Sequence, residues 1–130
     1  IVFAAHEKME RLACQGKCPV LGFYHPSRII YLDIVLKPET NLCAQSVLVH
    51  ELVHVMQHDN GSFYDVDAHT RWILREKEAL FVQKKFLAKH GRMHLFDRHL
   101  RLRRTSNGAE VRAGTTDWRI PLQTYFGRDC

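Results

Sequence analysis

The stretch from residue 41 to residue 61 constrains the fold more than any other part of this sequence. Asn41 is a favoured N-cap residue and Asn60-Gly61 is a strong terminator, so the spacing predicts a single helix between them. Four polar side chains of this helix share one face, spanning about 100° on a helical wheel: His50, Glu51, His54 and His58. Apolar side chains fill the opposite side, which predicts an amphipathic helix with a histidine face.

His50, Glu51 and His54 form the pattern H-E-x-x-H. Histidines four residues apart on a helix can direct both imidazoles to one metal ion about 2.0–2.1 Å away, with the glutamate beside the ion rather than on it. The expected number of chance matches to this pattern in a chain of this length and composition is roughly 0.03. The alternative is a solvated helix face with incidental histidines. His58 lies about 6 Å further along the axis, so we do not expect it to reach the same ion.

A third ligand must come from elsewhere, because a catalytic zinc ion usually takes three protein ligands and one water. The extended pattern with a third histidine is excluded, since Gln57 replaces its glycine and Asn60 replaces its last histidine. A later helix offers Glu76 and Glu78. Helical periodicity places Glu76 in the apolar face and exposes Glu78.

The segments His50-Glu51-Leu52-Val53-His54 and Glu76-Lys77-Glu78-Ala79 resemble the gluzincins, zinc peptidases with a glutamate ligand on a later helix. The resemblance covers roughly residues 28–88 and is strongest to minimal, single-domain members. It implies an α+β zincin-like domain with an active-site helix, a glutamate helix and a short sheet. It also implies zinc bound by His50, His54 and Glu78, with Glu51 as the general base. We prefer Glu78 to Glu76, because Glu78 matches the family and a ligand must face a solvent-connected cleft.

The remaining elements are predicted from periodicity and turn residues. We expect a helix over 2–13, a turn containing Pro19, Gly22 and Pro26, and a strand over 29–36. A loop over 62–70 and a third helix that ends at His90-Gly91 should follow. The strand either pairs with an extended substrate or is a buried structural strand. Beyond Arg92 the pattern weakens, and residues 118–126 are expected to form a short strand and a docking tail.

Supporting residues for catalysis are harder to choose. An oxyanion needs a donor besides zinc, and the candidates are Tyr64, His69 and Tyr125. Asp65 or Asp67 is a candidate to orient a ligand imidazole. Each of these residues also has a plainer interpretation as a loop, turn or core residue.

Length, composition and charge limit the number of domains and the kinds of partner. A chain of 130 residues with 45% apolar and 25% charged residues fits one domain, residues 1–130. The net charge of +5 is concentrated in residues 98–104, which we interpret as a solvated face, so we expect no nucleic-acid partner. No apolar run is long enough for a membrane span. The first residue is Ile1, so we expect that the chain was processed or trimmed.

Four cysteines form an even set without a C-x-x-C motif: Cys14, Cys18, Cys43 and Cys130. They favour disulfides and an exported protein, periplasmic or secreted, and the alternative is a cytosolic protein with reduced thiols.

The sequence therefore predicts zinc-dependent hydrolysis of peptide bonds in a peptide or protein substrate. The alternative is a zinc-binding but non-catalytic interaction domain of the same fold. A third interpretation makes the chain a basic nucleic-acid-binding protein in which H-E-x-x-H is accidental.

Overall fold

The computed structural model describes residues 1–14, 16–18, 20–92 and 115–117. These residues form an α+β fold with seven elements, in the order β1 (Val2–Ala4), α1 (His6–Ala13), β2 (Val20–His25), β3 (Ile29–Asp33), α2 (Leu42–Asp59), α3 (Ala68–Lys89) and β4 (Thr115–Asp117). The predicted combination of two long helices with a short sheet is confirmed.

Both long helices begin at side-chain caps and end at glycines. The Asn41 side chain accepts a hydrogen bond from the Ala44 backbone N–H at 2.8 Å, and Asp67 accepts one from Thr70 at 2.9 Å. Gly61 and Gly91 follow the helices with φ of +62° and +70°, a conformation that favours glycine. The predicted limits of α2 and the end of α3 are confirmed.

The N-terminal segment differs from the prediction. Residues 2–4 form strand β1, and helix α1 begins only at His6, after the N-cap residue Ala5. Val2 and Phe3 suit an extended backbone, and pairing with β3 satisfies their peptide groups. The turn predicted around Gly22 is instead strand β2, which pairs antiparallel with β3.

The sheet has the strand order β1-β3-β2-β4. Strand β3 is parallel to β1 and antiparallel to β2, and it ends at Asp33 rather than at residue 36. Because both of its edges are occupied, β3 cannot pair with an extended substrate. Of the two interpretations of this strand, the buried structural one is correct.

Two hydrophobic clusters hold the helices on the sheet. Consecutive strand residues point to opposite faces, so Phe23 packs with α1 while Tyr24 packs with α2. On the α2 side the cluster includes Leu32, Val47 and Leu87 at 0% exposure, which joins the sheet to α2 and to the end of α3. The sheet therefore carries α1 against one cluster and the two long helices against the other.

Cys14 and Cys18 form a disulfide directly after α1, and no cysteine among the described residues is a free thiol. This pairing is compatible with an oxidising compartment. No helix in the described part of the chain is long and apolar enough to cross a membrane. The predictions for residues 98–104, for residues 118–126 with Tyr125, and for Cys130 fall outside the described residues.

Candidate metal centre

The histidine face of α2 is turned into the protein. His50 and Glu51 are 0% exposed and His54 is 4% exposed, whereas Leu52 and Met56 are 45% and 62% exposed. A solvated helix face with incidental histidines is therefore wrong. A polar face is expected to be buried only when its groups find partners there.

Helix α3 supplies the third group of this site through Glu76. Its Oε1 lies 3.0 Å from Nε2 of His54, and its Oε2 lies 3.2 Å from Nε2 of His50. The two Nε2 atoms are 3.1 Å apart. Three ligand atoms from two helices thus converge on one buried point.

Glu78, the glutamate preferred from the sequence, lies elsewhere. Its side chain is exposed on α3, whereas Glu76 is 0% exposed and faces α2. The choice of Glu78 is corrected to Glu76, because two positions along a helix turn a side chain by about 200°. Periodicity placed these two residues correctly, and the match to the family pattern did not.

Two glutamines orient the imidazoles. Nδ1 of His50 lies 3.0 Å from Oε1 of Gln83, and Nδ1 of His54 lies 2.8 Å from Oε1 of Gln57. A carboxamide oxygen only accepts hydrogen bonds, so each Nδ1–H donates and each Nε2 is left for the centre of the site. The predicted orienting role of Asp65 or Asp67 is not supported: Asp65 is exposed, and Asp67 caps α3.

The electrostatics of the site couple His54 to Glu76. Burial opposes the charged form of His54, but the Glu76 carboxylate outweighs it and raises the pKa of His54 to about 9. Burial likewise opposes ionised Glu76, but the positive charge on His54 outweighs it and lowers the pKa of Glu76 to about 2. Without a metal the site therefore holds a His54–Glu76 ion pair.

The donor set fits a divalent transition metal. In neutral imidazoles that donate from Nδ1, both Nε2 atoms present lone pairs, and one proton on His54 cannot satisfy both Nε2 of His50 and the carboxylate. The separations of 3.0–3.2 Å are close to the edge of a tetrahedron around an ion. That edge is about 3.3 Å for ligands 2.0 Å from zinc.

Glu51 lies beside this group, against strand β2. A Cβ atom built on Gly22 would lie 2.8 Å from Oε1 of Glu51 and 2.8 Å from Cγ1 of Val47. Only glycine admits the carboxylate this close to the strand backbone. The sequence placed Gly22 in a turn and gave no sign of this contact.

The other candidates lie around the loop between α2 and α3. Tyr64 is 52% exposed and has the guanidinium groups of Arg71 and Arg75 over its ring, at 4.8 and 5.1 Å. His69 is exposed on the first turn of α3. His58 is half-buried rather than exposed, and its Nδ1 lies 2.7 Å from the Tyr24 hydroxyl. None of these three residues joins the group of His50, His54 and Glu76.

The fold and the site together define an α+β domain in which two long helices hold a buried group of two histidines and one glutamate. Comparisons of this chain with protein-family models, with curated proteins and with solved structures each find no match. The function must therefore be argued from the site.

Proposed function

We propose that this protein is a zinc-dependent peptidase of the gluzincin type, with His50, His54 and Glu76 as the metal ligands. The observation that carries the proposal is the convergence of Nε2 of His50, Nε2 of His54 and the Glu76 carboxylate at mutual distances of 3.0–3.2 Å. Structural zinc sites are closed by four protein ligands, whereas catalytic sites keep one position for water. Among the described residues the group has three members.

The chemistry follows from the donors and from Glu51. Bound zinc lowers the pKa of a water toward about 7 and polarises a carbonyl oxygen. Glu51 follows His50 on α2 and is not part of the ligand group, and we assign its carboxylate the role of general base. It takes a proton from the attacking water and delivers it to the leaving amine of the peptide. Gln57 and Gln83 keep the imidazoles aligned while the charge changes.

A second candidate function is favoured by the burial of the site. His50, Glu51 and Glu76 are 0% exposed, so a peptide has no open path to Glu51 in this conformation. A zinc-binding domain without catalysis needs no such path. In that case the metal only ties α2 to α3.

The metal is tested first, by elemental analysis of protein purified without chelator. We expect about one zinc per chain in the wild type, as three ligands around one ion require. His54→Ala and Glu76→Gln should lose it. Glu78→Gln is the matched control on α3 and should keep it. Zinc lost from Glu78→Gln but not from Glu76→Gln would return the ligand role to Glu78, and a wild type without zinc after reconstitution would refute the metal site.

Catalysis is then tested with a peptide library and Glu51→Gln. This change keeps the size of the side chain and removes the base, so zinc content should stay the same and turnover should fall at least about 100-fold. Zinc without turnover in the wild type would favour the non-catalytic domain. We place the protein in an exported, oxidising compartment, an assignment supported by the Cys14–Cys18 disulfide.

A further inference from the structure

Each imidazole of the site is the end of a hydrogen-bond chain that begins at a backbone carbonyl. In one chain the Ser46 hydroxyl donates to the Cys43 carbonyl at 2.7 Å, and Nε2 of Gln83 donates to the Ser46 oxygen at 3.0 Å. Oε1 of Gln83 then accepts from Nδ1 of His50 at 3.0 Å. In the other chain Nε2 of Gln57 donates to the Arg75 carbonyl at 3.0 Å, and its Oε1 accepts from Nδ1 of His54 at 2.8 Å.

The direction of the Gln57 chain is determined at its carbonyl end. The Arg75 carbonyl only accepts, so the Gln57 amide must turn its N–H toward that carbonyl and its oxygen toward His54. The Gln83 amide turns its oxygen toward His50 as long as the Ser46 hydroxyl donates to the Cys43 carbonyl. All five polar side chains of the two chains lie in the buried interior: Ser46, Gln83 and His50 are 0% exposed, Gln57 is 2% exposed and His54 is 4% exposed. A reversed amide would leave a buried N–H facing an N–H, which is costly.

We propose that Gln57 and Gln83 are positioning residues that hold both histidines in the tautomer with a free Nε2 lone pair, and that the two chains differ in whether they can reverse. This inference rests on the proposed metal site and extends it to residues that do not touch the metal. Its basis is the first link of each chain. The Gln83 chain contains the Ser46 hydroxyl, which can rotate and donate in either direction. The Gln57 chain begins directly at the Arg75 carbonyl, which has no proton to donate.

The difference predicts opposite results for the same substitution. In Gln83→Glu one carboxylate oxygen still accepts from His50, and Ser46 rotates to donate to the other oxygen. In Gln57→Glu the second carboxylate oxygen faces the Arg75 carbonyl, and two acceptors repel. Loss of an orienting partner typically lowers metal affinity about 10–100-fold. We expect Gln83→Glu to keep zinc affinity within about threefold and Gln57→Glu to lose at least about tenfold.

The experiment is a zinc titration against a chromophoric chelator at about pH 9, because burial raises the pKa of a new carboxyl group and only its ionised form is repelled by the Arg75 carbonyl. Gln45→Glu is the control, since it adds the same charge to α2 outside both chains. Ser46→Ala alone should lower zinc affinity only slightly. Combined with Gln83→Glu it should lower zinc affinity strongly, because no hydroxyl is left to donate to the new carboxylate. Equal losses in Gln57→Glu and Gln83→Glu, or tolerance of Gln83→Glu without Ser46, would overturn the proposal.

A second measurement separates this proposal from the proposed function. Thermal unfolding in chelator reports on the chains without any metal. Gln57→Glu should unfold at a lower temperature than Gln83→Glu, because its buried carboxylate lacks a donor. If the wild type binds no zinc, the proposed function fails. The difference in unfolding temperature between Gln57→Glu and Gln83→Glu still shows whether only the Gln83 chain can reverse. Equal unfolding temperatures would refute the directional chains.

Discussion

His54 and Glu76 form a buried ion pair, and a metal ion would replace the proton that they share. The Glu76 carboxylate holds the pKa of His54 near 9, above its usual value of 6.5. A group whose pKa is raised by folding stabilises the folded protein while it is protonated. Metal binding instead requires the neutral imidazole. The same residue therefore responds to pH in opposite directions with and without zinc.

This opposition is a testable prediction. Without metal, the contribution of His54 to stability is complete below pH 6.5 and is lost as the pH rises through about 9. Glu76 adds nothing to this trend, because its contribution is complete above pH 4.5 and is lost only as the pH falls through about 2. In saturating zinc this loss should be absent, because zinc affinity rises as the His54 proton leaves and offsets it.

Thermal unfolding from about pH 6.5 to about pH 8.5, in chelator and in excess zinc, measures both trends. His54→Gln is the control and should flatten the trend in chelator. Parallel trends in the two conditions would contradict competition between zinc and the His54 proton.

At the residue scale, the meeting of His50 and His54 was predictable because two residues four apart on one helix need only helical geometry to meet. The choice between Glu76 and Glu78 needed the packing of a second helix. The apolar periodicity of α3 contained that information, since it placed Glu76 between Trp72 and Leu80. Gln83 left no comparable trace, because its partners His50 and Ser46 are distant in the sequence. Gln57 lies three residues from His54, but its second partner, the Arg75 carbonyl, is 18 residues away.

At the scale of elements, α2 and α3 were predictable from their caps and terminating glycines, which act within a few residues. Strand β1 was not, because a three-residue strand exists only through its partner. Strand β2 has six residues, but Gly22 in its middle favoured a turn. The approach of β2 to α2 is likewise invisible in the sequence. It depends on Gly22, where a Cβ would lie 2.8 Å from both Glu51 and Val47.

Gly22→Ala should therefore displace the Glu51 carboxylate while the ligands stay in place. We expect unchanged zinc content, a loss of turnover of at least about tenfold, and a destabilisation of about 1–3 kcal/mol from overpacking. When Val47→Ala is combined with Gly22→Ala, it removes the close contact with Val47 but leaves the one with Glu51. The double variant should therefore recover stability more than it recovers turnover. Zinc analysis, peptide hydrolysis and denaturant unfolding separate these effects.

Gly16→Ala is the matched control for Gly22→Ala, because a Cβ at Gly16 meets no atom within 4 Å. It should leave zinc, turnover and stability unchanged. A Gly22→Ala protein with full turnover would show that the carboxylate of Glu51 does not depend on its place against β2.

At the scale of the whole molecule, the interface between α2 and α3 is polar at its centre and apolar at one end. At the apolar end, Leu87 of α3 packs in the same hydrophobic cluster as Val47 of α2. The polar centre consists of side chains that meet between the helices: His50, His54, Gln57, Glu76 and Gln83. Replacing apolar packing by a buried ion pair contributes little net stability, because desolvation offsets the attraction. The proposed zinc ion would add the stabilisation that this polar interface lacks.

Removal of zinc should therefore destabilise the whole domain and not only its site. A ligand present at about 1,000 times its Kd adds about 4 kcal/mol of stability, which for a chain of this size corresponds to more than about 10 °C in Tm. We expect chelator to lower Tm by at least that amount in the wild type and in Glu51→Gln, which keeps all three ligands. Glu76→Gln should already have the lower Tm and should not respond to chelator. A wild-type Tm that is indifferent to chelator would mean that zinc adds nothing to the contacts that already hold α2 against α3.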